Sequence, residues 1–382
     1  MKLRHSAYIV GAFEHPTRVA PNTTTAELHA EVAAGALADA GLGFADVDGY
    51  FCAGDAPGLA VSMADYLGLS LRHFDTTEGG GASYVLAVAH AAAAISAGFC
   101  RVALITLAGR PRSERPPLLP KGGEVGFEPI HGISPPNVYA LAAMRHMHEF
   151  GTTPEQLAWI KVAASEHARH NPHALHREPV TVADVLASPM VADPLHRLDC
   201  CVVTDGGGAL VVVAPEIARS LDRPLVGLAG SSATIKTQRG GHGLDLTVTG
   251  VAKAGAEAMA QAGVTPGDIR YASVYDSFAI TLLLQLEDLG FCAKGAGGGF
   301  VADGALISGV GRLAVNTDGG GLCNNHPVNR GGMTKTIEAV RQLRGEAHPR
   351  VQVPDCALAV VTGIGGLLTL RHAAVVAVLE RE

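Results

Sequence analysis

The stretch HAEVAAGALADAGLGFADVDGYFCAG, from His29 to Gly54, has a counterpart in GVAKAGAEAMAQAGVTPGDIRYASVYDS, from Gly250 to Ser277. Each starts as an Ala-rich amphipathic helix that stops at Ala-Gly (Ala40-Gly41, Ala262-Gly263), where glycine is a C-cap signal because it takes up positive φ without strain. Each then turns to Asp-Val or Asp-Ile (Asp46-Val47, Asp268-Ile269) and enters an apolar strand. Both pairs of landmarks keep one offset of 222 residues. A second correspondence follows. The helix ASYVLAVAHAAAAISAG from Ala82 and the strand RVALITLAG from Arg101 are answered by GGMTKTIEAVRQLRG from Gly331 and CALAVVTGIGG from Cys356. A period this long signals duplication, not a solenoid.

The reading is therefore an α/β fold of two similar βαβαβ halves, residues 1–225 and 226–382. Such halves place a site where the strand ends of both meet. The first half carries an insertion, about residues 110–198, that opens rich in Pro and Gly (GRPRSERPPLLPKGGEVGFEP) and then turns helical (NVYALAAMRHMHEFG, TPEQLAWIKVAASEHARH). In GTTPEQLA the Thr is an N-cap, with Pro in the first turn and a Glu behind it. Long ordered insertions often shape a ligand site, and this one is expected to line a pocket.

Composition agrees with closely packed α/β layers. Of 382 residues, 48% are hydrophobic but only 5% aromatic, with 47 glycines, so the core must be Ala, Val and Leu. A net charge of −7 without a long basic run argues against nucleic acid as the main partner. No apolar run reaches membrane-spanning length and MKLRHSAYIVGAF runs straight into a strand pattern, so neither anchor nor signal peptide is read. The seven cysteines are scattered without a C-x-x-C pair, which disfavours disulfides and zinc sites and suits a reduced cytoplasm.

The chemistry centres on Gly319-Gly320-Gly321-Leu322-Cys323-Asn324-Asn325-His326-Pro327. Its glycines let backbone approach a ligand, and its His has the one ordinary pKa near neutrality. With RLDCCVVTDGGGALVVV from Arg197, YDSF from Tyr275 and TGIGG from Thr362, the chain resembles the thiolase superfamily, within it the sterol-carrier/lipid-transfer thiolase-like branch. The resemblance covers nearly the whole chain. It implies a five-layered αβαβα protomer, normally a homodimer. It also implies acyl groups carried on coenzyme A, which is then part of the substrate, with no tightly bound cofactor.

The departures are chemical. The position of the family's acylated Cys is Gly81, in TTEGGGASYV, and that of its second catalytic Cys is Thr362 or Gly363. Neither Gly nor Thr replaces a thiolate as nucleophile and leaving group. Tyr275 stands where the family has Asn or His, and His326 matches the His of its oxyanion hole. A phenol and an imidazole facing one substrate suit general acid–base chemistry. Retro-aldol cleavage of a β-hydroxyacyl-CoA needs no covalent Cys, and Cys-less relatives cleave steroid side-chain CoA esters in this way with a small OB-fold/zinc-ribbon partner. Gly81, Gly320, Gly321 and Gly365 are the backbone positions expected against the acyl-CoA, with Gly81 leaving room for it.

Blander readings stand beside these. Tyr275 could be a strand-end phenol with a hydrogen bond; Asp276 reads as a structural acceptor and Ser277 as packing. Cys323 is either a relocated nucleophile or a small buried loop residue. His167, His170, His173 and His176 invite a metal, but Asn171-Pro172 breaks the helix that would align them. Glu78 before Gly79–Gly81 resembles an anion nest. Three functions remain: a Cys-independent acyl-CoA lyase using Tyr275 and His326, a non-catalytic lipid or acyl-CoA carrier, and an acyltransferase using Cys323.

Overall fold

The computed structural model describes residues 4–114, 134–237, 245–328, 330–368 and 371–382. The Pro/Gly-rich opening of the insertion falls largely outside them. The strands are β1 (Tyr8–Glu14), β2 (Gly49–Cys52), β3 (His73–Thr76), β4 (Val102–Gly109), β5 (Met190–Ala192), β6 (Leu195–His196), β7 (Gly206–Val213), β8 (Val226–Lys236), β9 (Tyr271–Ser273), β10 (Ala314–Val315), β11 (Leu358–Leu367) and β12 (Arg371–Arg381). Ten of them join in the order β10-β9-β11-β12-β8-β1-β7-β4-β2-β3, and β5 and β6 form a separate hairpin.

That order is symmetric about the β8–β1 junction, where only Tyr8↔Gly227 and Ile9↔Val226 pair. Outward on one side, β1–β7 and β7–β4 are antiparallel, then β4–β2 and β2–β3 parallel. On the other, β8–β12 and β12–β11 are antiparallel, then β11–β9 and β9–β10 parallel. The same sequence of pairings thus occurs twice.

Helices fill three layers around these two groups of strands. Thr25–Ala40 packs Val32, Ala36 and Leu37 on Leu104 and Val211 at one outer face. In the middle, Ser83–Ser96 and Gly332–Arg344 share a core with both groups: Val88, Met333, Ile337 and Val340 pack among Ile105, Leu210, Val361 and Val375. At the far face lie Val251–Ala262, Ala279–Asp288 and the insertion helices Pro135–Phe150 and Pro154–Ala168. Val360 faces this outer core and Val361 the middle one, as period-two alternation requires. The result is the five-layered αβαβα arrangement.

Small residues make it possible. A Cβ on Gly11 of β1 would lie 2.2 Å from Ala36 O, and one on Gly230 of β8 2.2 Å from Ala258 O. Ala36 and Ala258 are themselves 222 residues apart. Gly41 and Gly263 close the two helices at φ 68° and 67°. The helix from Pro154 is capped by Thr153, with Gln156 rather than the Glu completing the box: Thr153 N donates to Gln156 Oε1 at 3.0 Å and Gln156 N to Thr153 Oγ1 at 3.3 Å.

Candidate active site

Tyr275 follows the end of β9, and its backbone is fixed by side chains from three distant segments. Just before it, Val274 N donates to Asn316 Oδ1 and Asn316 Nδ2 to Val274 O, both at 2.8 Å, so an amide side chain continues the ladder that short β10 leaves. Tyr275 N donates to Thr362 Oγ1 at 2.9 Å, and Thr362 donates to Gln285 Oε1 at 2.6 Å. Gln285 Nε2 donates to Tyr275 O at 2.6 Å and to Thr281 O at 2.7 Å. Both backbone polar groups of Tyr275 are therefore satisfied inside the core, as buried peptide groups must be. The position expected for a second catalytic Cys, Thr362, instead holds the tyrosine in place.

His326 approaches from the opposite side. Its N–H donates to Thr204 Oγ1 at 3.0 Å, and its Nε2 lies 3.0 Å from Tyr275 Oη with the rings 60° apart. Nδ1 has no hydrogen-bond partner among the described residues. Both side chains are buried. Burial, with the charge of Lys335 adding, lowers the imidazole to about 3. Burial, followed by Tyr139, Cys201 and Asp276, pushes the phenol well above its ordinary value. The resting pair is neutral on both sides.

Gly81 meets this pair differently from expectation. A Cβ there would lie 2.3 Å from Tyr275 Oη and 2.2 Å from Ile364 O. The missing side chain makes room for the Tyr275 phenol, not for substrate. Gly365 packs backbone against backbone on the same turn, since its Cβ would be 1.7 Å from Gly79 O. The anion nest beside it is filled from within: Glu78 accepts from Gly80 N at 2.8 Å, Gly54 N at 2.9 Å and Arg330 Nη2 at 2.6 Å.

The glycine run needs a second correction. Gly320 N donates to Asp318 Oδ1 at 2.9 Å, while Gly321 N and Leu322 N donate to the Asp276 carboxylate at 2.9 and 3.3 Å. These amides are committed to protein carboxylates and offer no free donor. Cβ atoms on Gly320 and Gly321 would lie 2.2 and 2.9 Å from Asp276 oxygens, so the glycines admit Asp276. Cys323 is fully buried on the same turn, and burial raises its thiol. A nucleophile needs an accessible, depressed thiol, so the structure gives Cys323 the setting of a packing residue.

Ser277 and His167 are held by structural contacts. Ser277 Oγ pairs with Thr281 Oγ1 at 3.2 Å. The helix carrying His167 ends at Ala168, and His167 accepts from Ser308 N at 2.9 Å. Among the described residues no group of three or more His, Cys, Asp or Glu side chains converges as metal ligands. The supporting roles of Asn316, Thr362, Gln285 and Lys335 are not read from the sequence; the one signal that could have found any of them is the lone amide Gln285 in the apolar run AITLLLQL.

A duplicated five-layer α/β protomer with a phenol–imidazole pair at the strand ends is of the thiolase type. Residues 233–381 match the family model described as thiolase C-terminal domain-like. The acetyl-CoA acetyltransferase of Methanothermobacter thermautotrophicus is 34% identical over 350 residues, 88% of this chain and 90% of that protein. The 17-hydroxy-3-oxo-4-pregnene-20-carboxyl-CoA lyase of Mycobacterium tuberculosis is 36% identical over 360 residues, 88% of this chain and 91% of that protein. The solved Ltp2-ChsH2(DUF35) aldolase superposes with a TM-score of 0.88 at 32% identity, covering 99% of this chain and 98% of that one. The chain belongs to the thiolase superfamily, in its sterol-carrier/lipid-transfer thiolase-like branch. Among the described residues no helix is long and apolar enough to cross a membrane.

Proposed function

We propose that the protein is an acyl-CoA lyase that cleaves the Cα–Cβ bond of a β-hydroxyacyl-CoA by a retro-aldol reaction, with Tyr275 and His326 as its catalytic residues. The observation that carries the reading is the 3.0 Å contact of Tyr275 Oη with His326 Nε2, set in the space that a side chain at position 81 would fill. Relatives named as a carboxyl-CoA lyase and as an aldolase point the same way.

In the proposed step the β-hydroxyl proton passes to Tyr275 Oη while the phenol proton moves to His326 Nε2. The Cα–Cβ bond breaks, its electron pair forming the thioester enolate as the β-oxygen becomes a carbonyl. The enolate then takes a proton back at Cα through the same phenol. Atoms and charge balance without free CoA or a redox partner. A lone tyrosinate is disfavoured in this buried site, so the phenol acts as base only in concert with His326. The new imidazolium lies beside the new enolate, and opposite charges developing together in a low-dielectric site stabilise one another.

The wider reading has two halves, residues 1–225 and 226–382, with the 110–198 insertion lining the acyl pocket. The insertion's Tyr139 supports that placement by stacking on Phe278 with ring centroids 4.2 Å apart. A homodimer is supported by edge strand β3, where Phe74 stands exposed and the exposed Phe99, from the loop before β4, stacks on His73. A small OB-fold/zinc-ribbon partner is supported by the two-component name of the Ltp2-ChsH2(DUF35) aldolase. The setting is cytoplasmic. Incubation of β-hydroxyacyl-CoA and β-ketoacyl-CoA panels, read by mass spectrometry, tests the reaction: the hydroxyacyl esters should be cleaved without added CoA. Cleavage confined to ketoacyl esters plus CoA would replace this reading with thiolysis.

A further inference from the structure

A fully buried lysine stands behind the candidate site, with no part in the chemistry above. Lys335 lies in the first turns of the helix Gly332–Arg344, and its Nζ is 2.7 Å from Asp276 Oδ1, itself buried. The contact is an ion pair by distance, yet among the described residues Nζ has no partner that meets hydrogen-bond geometry. Taking an ammonium and a carboxylate out of water is costly unless their geometry repays it, so packing alone does not explain the pair.

Asp276 is also the group that organises the catalytic turn. Its carboxylate accepts from Gly321 N and Leu322 N, and Lys161, another buried lysine, donates to Leu322 O from the far side at 2.7 Å. The turn is thus held at its amides by Asp276 and at a carbonyl by Lys161. His326 follows Cys323 by three residues. Gly331, where a Cβ would lie 3.0 Å from His326 Cδ2, brings the start of the Lys335 helix against the imidazole.

The charged and titratable groups around His326 come from each neighbouring element. Tyr275 and Asp276 follow β9, Lys335 comes from the helix, Cys201 precedes β7, and Arg330 sits in the intervening loop. Arg330 is spent on Glu78 at 2.6 Å and Asp55 at 3.3 Å. We propose that Lys335 is a positioning residue for the Tyr275–His326 pair: its ammonium fixes the Asp276 carboxylate on the Gly320–Cys323 turn and opposes a second positive charge on His326. The inference rests on the lyase reading, in which His326 must stay uncharged to take the phenol proton.

The test follows the protonation of His326 by nitrogen NMR of histidine-labelled protein, which needs no turnover. In the native protein His326 is expected to stay neutral at pH 5. In K335M, which keeps the stem but leaves Asp276 unpaired, its protonation midpoint is expected to rise by at least one pH unit, so that at pH 4 the neutral fraction, and with it kcat/KM relative to pH 8, falls about twofold below native. The doubly neutral D276N/K335M variant should fall between the two, and K335R should retain the native titration. An unchanged midpoint in folded K335M, or equal shifts in K335R and K335M, would overturn the proposal; if K335M does not fold, the double variant and K335R decide it. A shifted midpoint in a protein that cleaves no β-hydroxyacyl-CoA would sink the lyase reading while leaving the electrostatic role of Lys335 standing.

Discussion

Tyr275 Oη stands 3.0 Å from His326 Nε2, between the end of β9 and the turn after Gly321, with both side chains out of solvent. A proton shared across that contact costs neither residue a permanent buried charge. Tyr275→Phe removes the shared proton and little volume. It should lower kcat roughly 100- to 10,000-fold, the usual span for a general acid–base group, while the Kd for acyl-CoA measured by calorimetry stays within about threefold. Loss of binding in step with turnover would reduce Tyr275 to a structural residue.

Gly81→Ala places a methyl 2.3 Å from the phenol oxygen and 2.2 Å from Ile364 O, so the phenol or β11 must shift. Overpacking of this kind costs about 1–3 kcal/mol. Activity should fall more than stability, because the displaced atom is the reacting one. Gly81→Cys should likewise create no thiolase, since its thiol has no room; thiolysis measured with ketoacyl-CoA and free CoA checks this.

Thr362→Val is nearly isosteric but removes the acceptor of Tyr275 N and the donor to Gln285 Oε1. Leaving buried polar groups unpaired should cost about 1–3 kcal/mol in urea unfolding. Thr362→Ser, which keeps the hydroxyl, should recover most of the activity. Equal losses in both variants would show that the methyl, not the hydrogen bonds, matters.

Cys323 separates the lyase from an acyltransferase. With its thiol buried and raised, it should react with iodoacetamide no faster than the other buried cysteines. Cys323→Ala should keep turnover within a few-fold while losing about 1 kcal/mol of packing. Rapid, inactivating alkylation at Cys323 would favour the acyltransferase.

Stability should decline on acidification. Burial depresses His326 to about 3 and His167 and His372 to about 4, and also lowers the more exposed His170 and His176. The unfolded chain therefore binds protons first as pH falls below about 6.5, and stability is lost through that window. Burial acts oppositely on Asp199, raised to about 6, Glu338, raised to about 7, and Asp288, so the upper part of the slope is shallow. Below about 4.5 the depressed carboxylates Glu14, Asp39 and Glu287 add to the loss. Thermal melts from pH 7 to 4 check the sign; a Tm that rises on acidification contradicts it.

The fold was legible because duplication leaves marks within one chain. The Ala-Gly helix ends and the 222-residue offset need no long-range information, and the structure sets Gly41 and Gly263 in matching left-handed caps. His326 and Tyr275 were legible as motif residues. Their support was not, because Asn316, Thr362 and Gln285 act across 10 to 87 residues of chain. The glycine run misled for a related reason: glycines that admit a ligand and glycines that admit a neighbouring carboxylate look alike, and here Asp276 takes the amides. Lys335 sits in the helix GGMTKTIEAVRQLRG, where nothing in the local sequence marks a lysine as buried, and only the surrounding layers bury it.

The most direct test is wild type against Tyr275→Phe on a β-hydroxyacyl-CoA panel without free CoA, with products read by mass spectrometry. The account expects the wild type to release a carbonyl compound and the acyl-CoA shortened at the Cα–Cβ bond, and the variant to bind the same ester without cleaving it. Equal cleavage by both proteins, or products only when free CoA is supplied, would contradict it.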